Sequence, residues 1–226
     1  MTPPAAVLFD LDGTLIDSEE LWWDAECRTV GSWNGSWTRE DQAHCLGGPL
    51  ERVTGYMAAR TGSPLTPGDI GERLLDEMER LLRVGDLGWR PGALELLVEC
   101  RATGVPTALV SASHRRLLDA VADAVEHHPG MPHPAFDVTV AGDEVEHGKP
   151  HPEPYLEAAR QLGVSITECI VIEDSPTGVA SGQASGALVI AVPHVVAIEP
   201  GPRRWVVPSL EGVHLDDVRT WASLAA

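Results

Sequence analysis

The sequence has 226 residues, of which 43% are hydrophobic and 22% charged, as in ordinary soluble globular proteins. Its formal net charge of −18 predicts a surface that repels nucleic-acid phosphates and anionic lipid, so neither is an expected partner. It has no segment typical of a signal peptide or a membrane span, and its four cysteines are widely spaced, so we expect a cytoplasmic protein with free thiols.

The first predicted element is a buried strand over residues 5–9, which ends at Asp10, Asp12 and Gly13. Residues at i and i+2 of an extended segment point the same way, so both carboxylates can face one small volume. Ligands of open α/β sheets bind at the carboxyl ends of the strands, where these residues would lie. Taken alone, the segment also fits a loop with two solvated aspartates.

Helical periodicity dominates residues 18–84. Ser18 is the predicted N-cap of a helix that ends at Gly31, and further helices are predicted over 38–45, 49–60 and 67–83. We interpret this region as a small helical bundle inserted after the first strand, with residues 85–88 as the return linker. The predicted domains are therefore a core of residues 1–17 and 88–226 and an insert of residues 18–87.

Strand and helix patterns alternate after residue 90. Strands are predicted over 105–110, 136–141, 169–172 and 187–192, and helices over 91–103, 114–126, 152–162 and from 176 onwards. Residues 193–214 are predicted to be irregular, and a short helix over 215–224 closes the chain. The alternation predicts an α/β fold: a three-layer, Rossmann-like core with a parallel sheet and helices on both faces.

Polar side chains stand at four predicted strand ends. They are Asp10 with Asp12, Ser111, Lys149, and Glu173 with Asp174. In a parallel sheet these ends lie along one edge, so the set would combine metal-binding carboxylates, a hydroxyl and an ammonium group. Lys149 is the only lysine in the sequence, which indicates a need for a compact point charge, although a leftover surface lysine fits as well.

The same residues resemble the four motifs of the haloacid dehalogenase (HAD) superfamily. Residues 10–14, DLDGT, resemble its DxDGT signature, and Ser111, residues 148–150 and residues 172–175 resemble the other three motifs. The insert over 18–84 is similar to the small α-helical cap of this family. The resemblance covers nearly the whole chain and implies the Rossmann-like fold with an inserted cap domain.

The resemblance implies Mg²⁺ as the cofactor and an aspartyl-phosphate as the intermediate. Asp10 would be the nucleophile and a metal ligand, together with Asp174 and the backbone carbonyl of Asp12. Glu173 would either ligate the metal or orient a metal-bound water. The carboxyl group of Asp12 would protonate the leaving oxygen and then activate water.

The resemblance also implies a phosphate-binding set. Lys149 would pair with the nucleophile and with phosphate oxygens, supplying the positive charge that the acidic surface lacks. Ser111 and backbone N–H groups near Ala112 would bind the phosphate. Thr14 would support the turn after the first strand, in a role that is structural or functional.

We expect a phosphatase that acts on a small phosphorylated metabolite, as a monomer or weak dimer. A β-phosphoglucomutase-like mutase is the alternative, but Trp22 occupies the place of the cap histidine that such enzymes use. An inactive binding or regulatory protein is a further alternative, against which the intact set of motif residues weighs. Dehalogenases lack an aspartate at the position of Asp12.

Other polar residues have weaker claims on function. Five histidines, at positions 127, 128, 133, 147 and 151, share no predicted face, which favours a solvated loop over a metal site. Arg52 and Arg60 of the insert could contact substrate, although helical arginines commonly lie on a plain surface.

Overall fold

A computed structural model describes residues 4–45, 48–85 and 87–224. The chain divides into two compact units, a larger one of Met1–Asp17 with Leu87–Ala226 and a helical one of Ser18–Asp86. In chain order, the strands and α-helices are β1 Ala6–Phe9, α1 Glu19–Gly31, α2 Arg39–Cys45, α3 Leu50–Thr61, α4 Pro67–Val84, α5 Ala93–Ala102, β2 Thr107–Val110, α6 Arg115–Glu126, β3 Val138–Val140, α7 Glu153–Leu162, β4 Cys169–Glu173, α8 Pro176–Ser185, β5 Leu188–Ala191, β6 Arg204–Val206 and α9 Leu215–Leu224. In the ranges described, we find no helix with the length and apolar character that crossing a membrane would require.

The larger unit is built on a six-stranded parallel sheet in the order β3-β2-β1-β4-β5-β6. The predicted α/β fold is thereby confirmed. β1 lies between β2 and β4, and its last residue, Phe9, pairs with Leu109 on one side and Ile172 on the other. Beyond these pairs, the Asp10 N–H donates to the Ile172 carbonyl, so Asp10 stands at the carboxyl edge of the sheet's centre.

The sheet buries apolar side chains on both faces, as expected for a parallel sheet between helices. Alternate residues of β1, Ala6 and Leu8, pack with Tyr155 and Ala158 of α7 in one buried cluster. The intervening residues Val7 and Phe9 point to the opposite face and are also fully buried. The continuous burial of all four residues fixes β1, and with it the position of the aspartates that follow.

The sixth strand corrects the prediction that residues 193–214 are irregular. β6 is only three residues long and pairs in parallel with β5 through Ile190 and Trp205. It lies at the edge of the sheet, and all of its residues are half-buried. A strand this short, flanked by prolines at 202 and 208, shows too few alternations for its period to be read from sequence.

The helical unit contains the four helices expected from its periodicity, α1 to α4. α4 buries one apolar side against its neighbours and begins with a capping box, in which Thr66 and Asp69 exchange hydrogen bonds. Ser18 occupies the N-cap position of α1, as predicted, but its side chain makes no capping hydrogen bond. Asp86, in the predicted return linker, lies outside the described residues.

The helical unit also buries two acidic residues. Glu26 of α1 accepts a hydrogen bond from the Trp37 indole N–H at 2.9 Å. Asp41 of α2 accepts from the Tyr56 hydroxyl at 2.8 Å and from Arg60 Nε at 3.0 Å. Burial raises the pKa of Glu26 to about 7, against the lowering effect of the Trp37 hydrogen bond.

We expect Glu26→Gln to stabilise the protein above pH 7. Folded Glu26 stays protonated up to about pH 7, whereas the unfolded chain ionises it near 4.5, so the free energy of unfolding falls as pH rises between these values. Glutamine is never ionised and removes this loss, which amounts to about 3 kcal/mol at pH 8. Urea unfolding of the wild type and Glu26→Gln from pH 4 to pH 8 measures this difference in the free energy of unfolding. Glu51→Gln, at an exposed site on α3, is the control. If the free energy of unfolding depends on pH in the same way for Glu26→Gln as for wild type, the prediction is refuted.

Candidate active site

The carboxyl edge of the sheet brings the predicted site residues together. Lys149 lies on the segment between β3 and α7, and its Nζ donates to Asp10 Oδ1 at 2.6 Å and to Glu173 Oε1 at 2.8 Å. It also donates to the Val110 carbonyl at the end of β2, at 2.9 Å. The only lysine of the chain therefore joins the ends of β1, β2 and β4, and its side chain is 5% exposed. It is not a leftover surface residue.

Glu173 is held from both sides at the end of β4. Besides Lys149, its Oε1 accepts a hydrogen bond from the Tyr155 hydroxyl at 2.9 Å. Its Oε2 accepts from the backbone N–H groups of Asp174 and Ser175 and from the Ser175 hydroxyl. A Cβ at Gly178 of α8 would come within 1.6 Å of Oε1, so only glycine leaves room for the carboxylate there.

Asp12 faces the hydroxyls that follow β2. Ser113 Oγ donates to Asp12 Oδ2 at 2.8 Å, and Ser111 Oγ lies 3.4 Å from the same oxygen. Ser111 is buried and also accepts a hydrogen bond from the Ser113 N–H, while Ala112 between them is exposed at the same edge. The structure thus places Ser111 against Asp12, as part of one group with Ser113.

Gly13 and Thr14 bring the first turn against Asp174. Gly13 has φ +86, and a Cβ there would lie 2.3 Å from Asp174 Oδ2, so both the backbone conformation and the close approach require glycine. The Thr14 hydroxyl donates to Asp174 Oδ1 at 3.3 Å. This contact links the turn after β1 to the end of β4, 160 residues away.

Electrostatics at this edge favour a cation. Burial, and next the charge of Glu173, raise the pKa of Asp10 well above its usual value, and the same causes raise the pKa of Asp174 to about 7. Burial alone would lower the pKa of Lys149, but Asp10 and Glu173 hold it well above its usual range, so the ammonium stays charged. One ammonium group does not balance three buried carboxylates.

Those three carboxylates suit a divalent metal. Asp10, Glu173 and Asp174 each offer an oxygen, and these atoms lie within 4.8 Å of one another. All three residues are buried, which limits competition from water. Hard oxygen donors of this kind are the ligands that Mg²⁺ takes in proteins, so the residues fit the metal that the sequence resemblance implies.

Sequence reasoning missed Tyr155 and Ser113 as site residues. Tyr155 is fully buried in the first turn of α7, where apolar packing explains a tyrosine without any role at the site. The sequence does offer one signal. Tyr155 lies in the first turn of the helix that follows Lys149, which keeps the two residues close along the chain. Ser113 follows Ser111 by two residues, the same i, i+2 spacing that relates Asp10 to Asp12.

The histidines divide into two groups, and the prediction that they share no face is wrong for one of them. His147 and His151 have ring centroids 4.7 Å apart and lie beside Glu153. By contrast, His127 contacts the Asp123 carbonyl, His133 contacts Glu126, and His128 packs on Trp89.

The insert arginines have partners in their own unit. Arg60 pairs with the buried Asp41, and Arg52 donates to the carbonyls of His44 and Cys45 at the end of α2.

Removing the Tyr155 hydroxyl tests its contact with Glu173. If Glu173 serves a Mg²⁺ site of a phosphatase, as the sequence resemblance implies, Tyr155→Phe should keep the fold and the KM for substrate but lower kcat by about tenfold, because a partner that orients a carboxylate at a metal site is worth roughly 10–100-fold. The Mg²⁺ concentration for half-maximal activity should rise as well. Tyr56→Phe removes a matched tyrosine–aspartate contact in the helical unit and is the control. Unchanged kcat and Mg²⁺ dependence would show that the Tyr155 hydroxyl serves packing alone.

Comparisons with known proteins show the family of the chain. The family model of the haloacid dehalogenase-like hydrolases matches residues 7–192. The chain belongs to this family. As a HAD hydrolase it is 31% identical to protein CbbY of Rhodobacter capsulatus, over 83% of this chain and 85% of that protein. It is 33% identical to hexitol phosphatase A of Escherichia coli, over 82% and 81% of the two chains.

A solved structure extends the similarity to the fold. The crystal structure of a CbbY mutant from Rhodobacter sphaeroides in complex with xylulose-(1,5)bisphosphate superposes with a TM-score of 0.81 at 27% identity, covering 94% of this chain and 98% of that one. Because relatives such as hexitol phosphatase A are phosphatases by name, this HAD hydrolase is an enzyme of the phosphoric monoester hydrolase class.

Proposed function

We propose that this HAD hydrolase is a Mg²⁺-dependent phosphatase that acts on a small phosphorylated metabolite, of the sugar-phosphate or phosphoglycolate type, through an aspartyl-phosphate at Asp10. The contact of Lys149 Nζ with both Asp10 and Glu173 carries the proposal. It places one fixed positive charge against the nucleophilic carboxylate, where phosphoryl transfer requires charge neutralisation and positioning above all.

The metal ligands in this proposal are Asp10, Asp174 and the backbone carbonyl of Asp12. Glu173 either ligates Mg²⁺ as well or orients one of its waters, and its oxygen lies within reach of the other two carboxylates. When bound, Mg²⁺ would offset the negative charge of the phosphate and of the carboxylates around it. Thr14 and Gly13 hold Asp174 in position for this role.

Asp10 and Asp12 divide the proton and phosphoryl chemistry. An oxygen of Asp10 forms a bond to phosphorus while the bond from phosphorus to the ester oxygen breaks, and protonated Asp12 gives its proton to that leaving oxygen. Asp12 then takes a proton from water, whose oxygen attacks phosphorus and releases Asp10 and inorganic phosphate. The Ser113 hydroxyl, at 2.8 Å, would orient the Asp12 carboxyl group, which leaves the more distant Ser111 hydroxyl able to turn to phosphate.

Lys149 and the end of β2 complete the phosphate site. The three N–H donors of Lys149 Nζ are engaged with Asp10, Glu173 and the Val110 carbonyl, and the one on Asp10 would turn to a phosphate oxygen that arrives beside that carboxylate. Ser111 and the backbone near Ala112 lie on the neighbouring strand end and would donate to the other phosphate oxygens. Since the net charge of the chain is −18, this local positive charge is what admits an anionic substrate.

A phosphate-release screen tests the proposal. The substrates are hexitol phosphates, xylulose-1,5-bisphosphate, other sugar phosphates, phosphoglycolate and nucleotides, each with Mg²⁺ and with excess EDTA. We expect release from one or more small esters that depends on Mg²⁺. Release from none of them would overturn the phosphatase assignment. Conversion of glucose-1-phosphate to its isomer without release would identify the mutase alternative.

The covalent intermediate has its own test. Enzyme quenched in acid during turnover of a ³²P-labelled substrate should carry label on the peptide that contains Asp10. An acyl phosphate is cleaved by hydroxylamine, whereas a phosphoserine from Ser111 or Ser113 is not, so the two can be told apart. Label that resists hydroxylamine would place the intermediate elsewhere.

A further inference from the structure

A second group of metal-ligating side chains lies on the outer side of the segment that carries Lys149. His147 Nδ1 lies 3.0 Å from Glu153 Oε2, and His151 Nδ1 lies 3.8 Å from the same oxygen. One ligand atom from each of the three residues falls within 4.8 Å of the others. Adjacent ligands of a tetrahedral ion with bonds of about 2.0–2.2 Å lie roughly 3.4 Å apart, a spacing that the two measured distances bracket.

The carboxylate of this group is fixed before any ion arrives. Glu153 Oε1 accepts the Glu146 N–H at 2.8 Å, and Oε2 accepts the His147 N–H at 3.0 Å. The Glu146 contact comes first among the causes that lower the pKa of Glu153, and hydrogen bonds from the His147 side chain and backbone add to it. They act as outer partners that orient a ligand, a recurrent feature of protein metal sites.

The imidazoles are equally well arranged. His151 Nδ1 accepts a long hydrogen bond from the Glu153 N–H at 3.3 Å, so this nitrogen carries no proton, and an ion bound at Nδ1 would replace that contact. The His151 carbonyl accepts from Ser181 Oγ of α8 at 2.6 Å, which anchors the backbone at that end. Both rings are exposed, so an ion can reach them without opening the fold.

We propose that His147, His151 and Glu153 bind a first-row transition-metal dication, of the zinc or nickel class, on the segment that carries Lys149. Two imidazoles and one carboxylate favour such ions, whereas the all-oxygen group of Asp10, Glu173 and Asp174 favours Mg²⁺. The ion would take the place of the proton between His147 and Glu153. It would tie together both ends of residues 147–151, at whose centre Lys149 contacts Asp10.

Calorimetric titration of the full chain with NiCl₂ tests the proposal. The protein is first stripped with EDTA, exchanged into buffer without chelator and supplied with millimolar Mg²⁺ to fill the oxygen site. We expect one equivalent of Ni²⁺ to bind, and His147→Ala, His151→Ala and Glu153→Gln each to weaken binding by more than tenfold, since even an outer partner of a metal site contributes roughly 10–100-fold. Bound Ni²⁺ should also raise the melting temperature of the wild type only.

Two controls separate this site from its alternatives. His214 is an exposed histidine whose Nδ1 lies 3.2 Å from Glu99 Oε2, and among the described residues it belongs to no group of three ligands, so His214→Ala should leave Ni²⁺ binding unchanged. Asp174→Asn should also leave it unchanged, because that residue belongs to the oxygen site. Binding that survives both His147→Ala and His151→Ala, binding lost in Asp174→Asn, or no binding at micromolar Ni²⁺ would each overturn the proposal.

Discussion

Replacing Asp10 with asparagine is expected to abolish Mg²⁺-dependent phosphate release while the protein remains folded. The amide lacks the anionic oxygen that would attack phosphorus, and loss of a nucleophile costs on the order of 10⁶-fold in kcat where it has been measured. The side chain is nearly isosteric, and the amide keeps an oxygen that can accept from Lys149 Nζ. Phosphate release with the best substrate of the screen measures the effect.

The charge change at Asp10 favours the folded state rather than opposing it. Burial and the charge of Glu173 raise the pKa of Asp10, so an ionised carboxylate is costly there when no metal is bound. Asp10→Asn should therefore melt at or above the wild-type temperature in EDTA. Lost activity with retained melting temperature would assign the defect to chemistry, whereas activity above about a hundredth of wild type would exclude Asp10 as the nucleophile.

Asp143→Asn is the matched control for this experiment. Asp143 lies just after β3 and is exposed, and its Oδ1 accepts the Arg115 N–H. The substitution removes one negative charge from the same unit without touching Asp10, Asp12 or Lys149. We expect it to leave kcat and the Mg²⁺ dependence at wild-type values.

The central strands of this fold could be predicted because burial on both faces leaves a simple pattern. Residues 6–9, 107–110 and 188–191 are continuous apolar or small runs, and each is fully buried. β6 escaped prediction because an edge strand of three half-buried residues needs no such run. The hydrophobic pattern of a strand follows from its burial, so the least buried strands are the hardest to predict from sequence.

The site could be predicted for a different reason. A parallel sheet aligns the ends of its strands, so polar residues after each strand converge however far apart they lie in sequence. Asp12 and Ser111 meet across 99 residues for this reason, whereas Lys149 reaches Asp10 from the segment between β3 and α7. The contacts of Tyr155 and Ser113 were not accessible in this way, because they depend on how α7 and the turn after β2 pack.

Removing the ammonium group of Lys149 should lower both activity and stability. Lys149→Met keeps the length of the side chain but leaves Asp10 and Glu173 facing each other without a cation. Breaking a buried ion pair from one side typically costs about 3–5 kcal/mol, and loss of one fixed donor to a transition state costs roughly 10²–10³ in kcat. Urea unfolding in EDTA and phosphate release with Mg²⁺ measure the two effects.

Lys149→Arg tests whether charge alone is sufficient. Lys149 Nζ donates to three acceptors from one point at 2.6–2.9 Å, an arrangement that a compact ammonium satisfies and a planar guanidinium does not. The side chain is almost fully buried, so the larger head has no space to turn outward. We expect Lys149→Arg to restore part of the stability and little of the activity; wild-type activity would show that position-specific geometry is unimportant.

The double variant Asp10→Asn with Lys149→Met separates the two roles of this ion pair. The double variant takes away one of the two carboxylates that Lys149→Met leaves without a cation, so its free energy of unfolding should return towards wild type by more than the single effects predict. Activity should stay at the level of Asp10→Asn, because the nucleophile is absent. A double-variant free energy of unfolding equal to the sum of the two single effects would mean that Lys149 and Asp10 do not interact in the folded protein, and the role of Lys149 at the nucleophile would fall with that result.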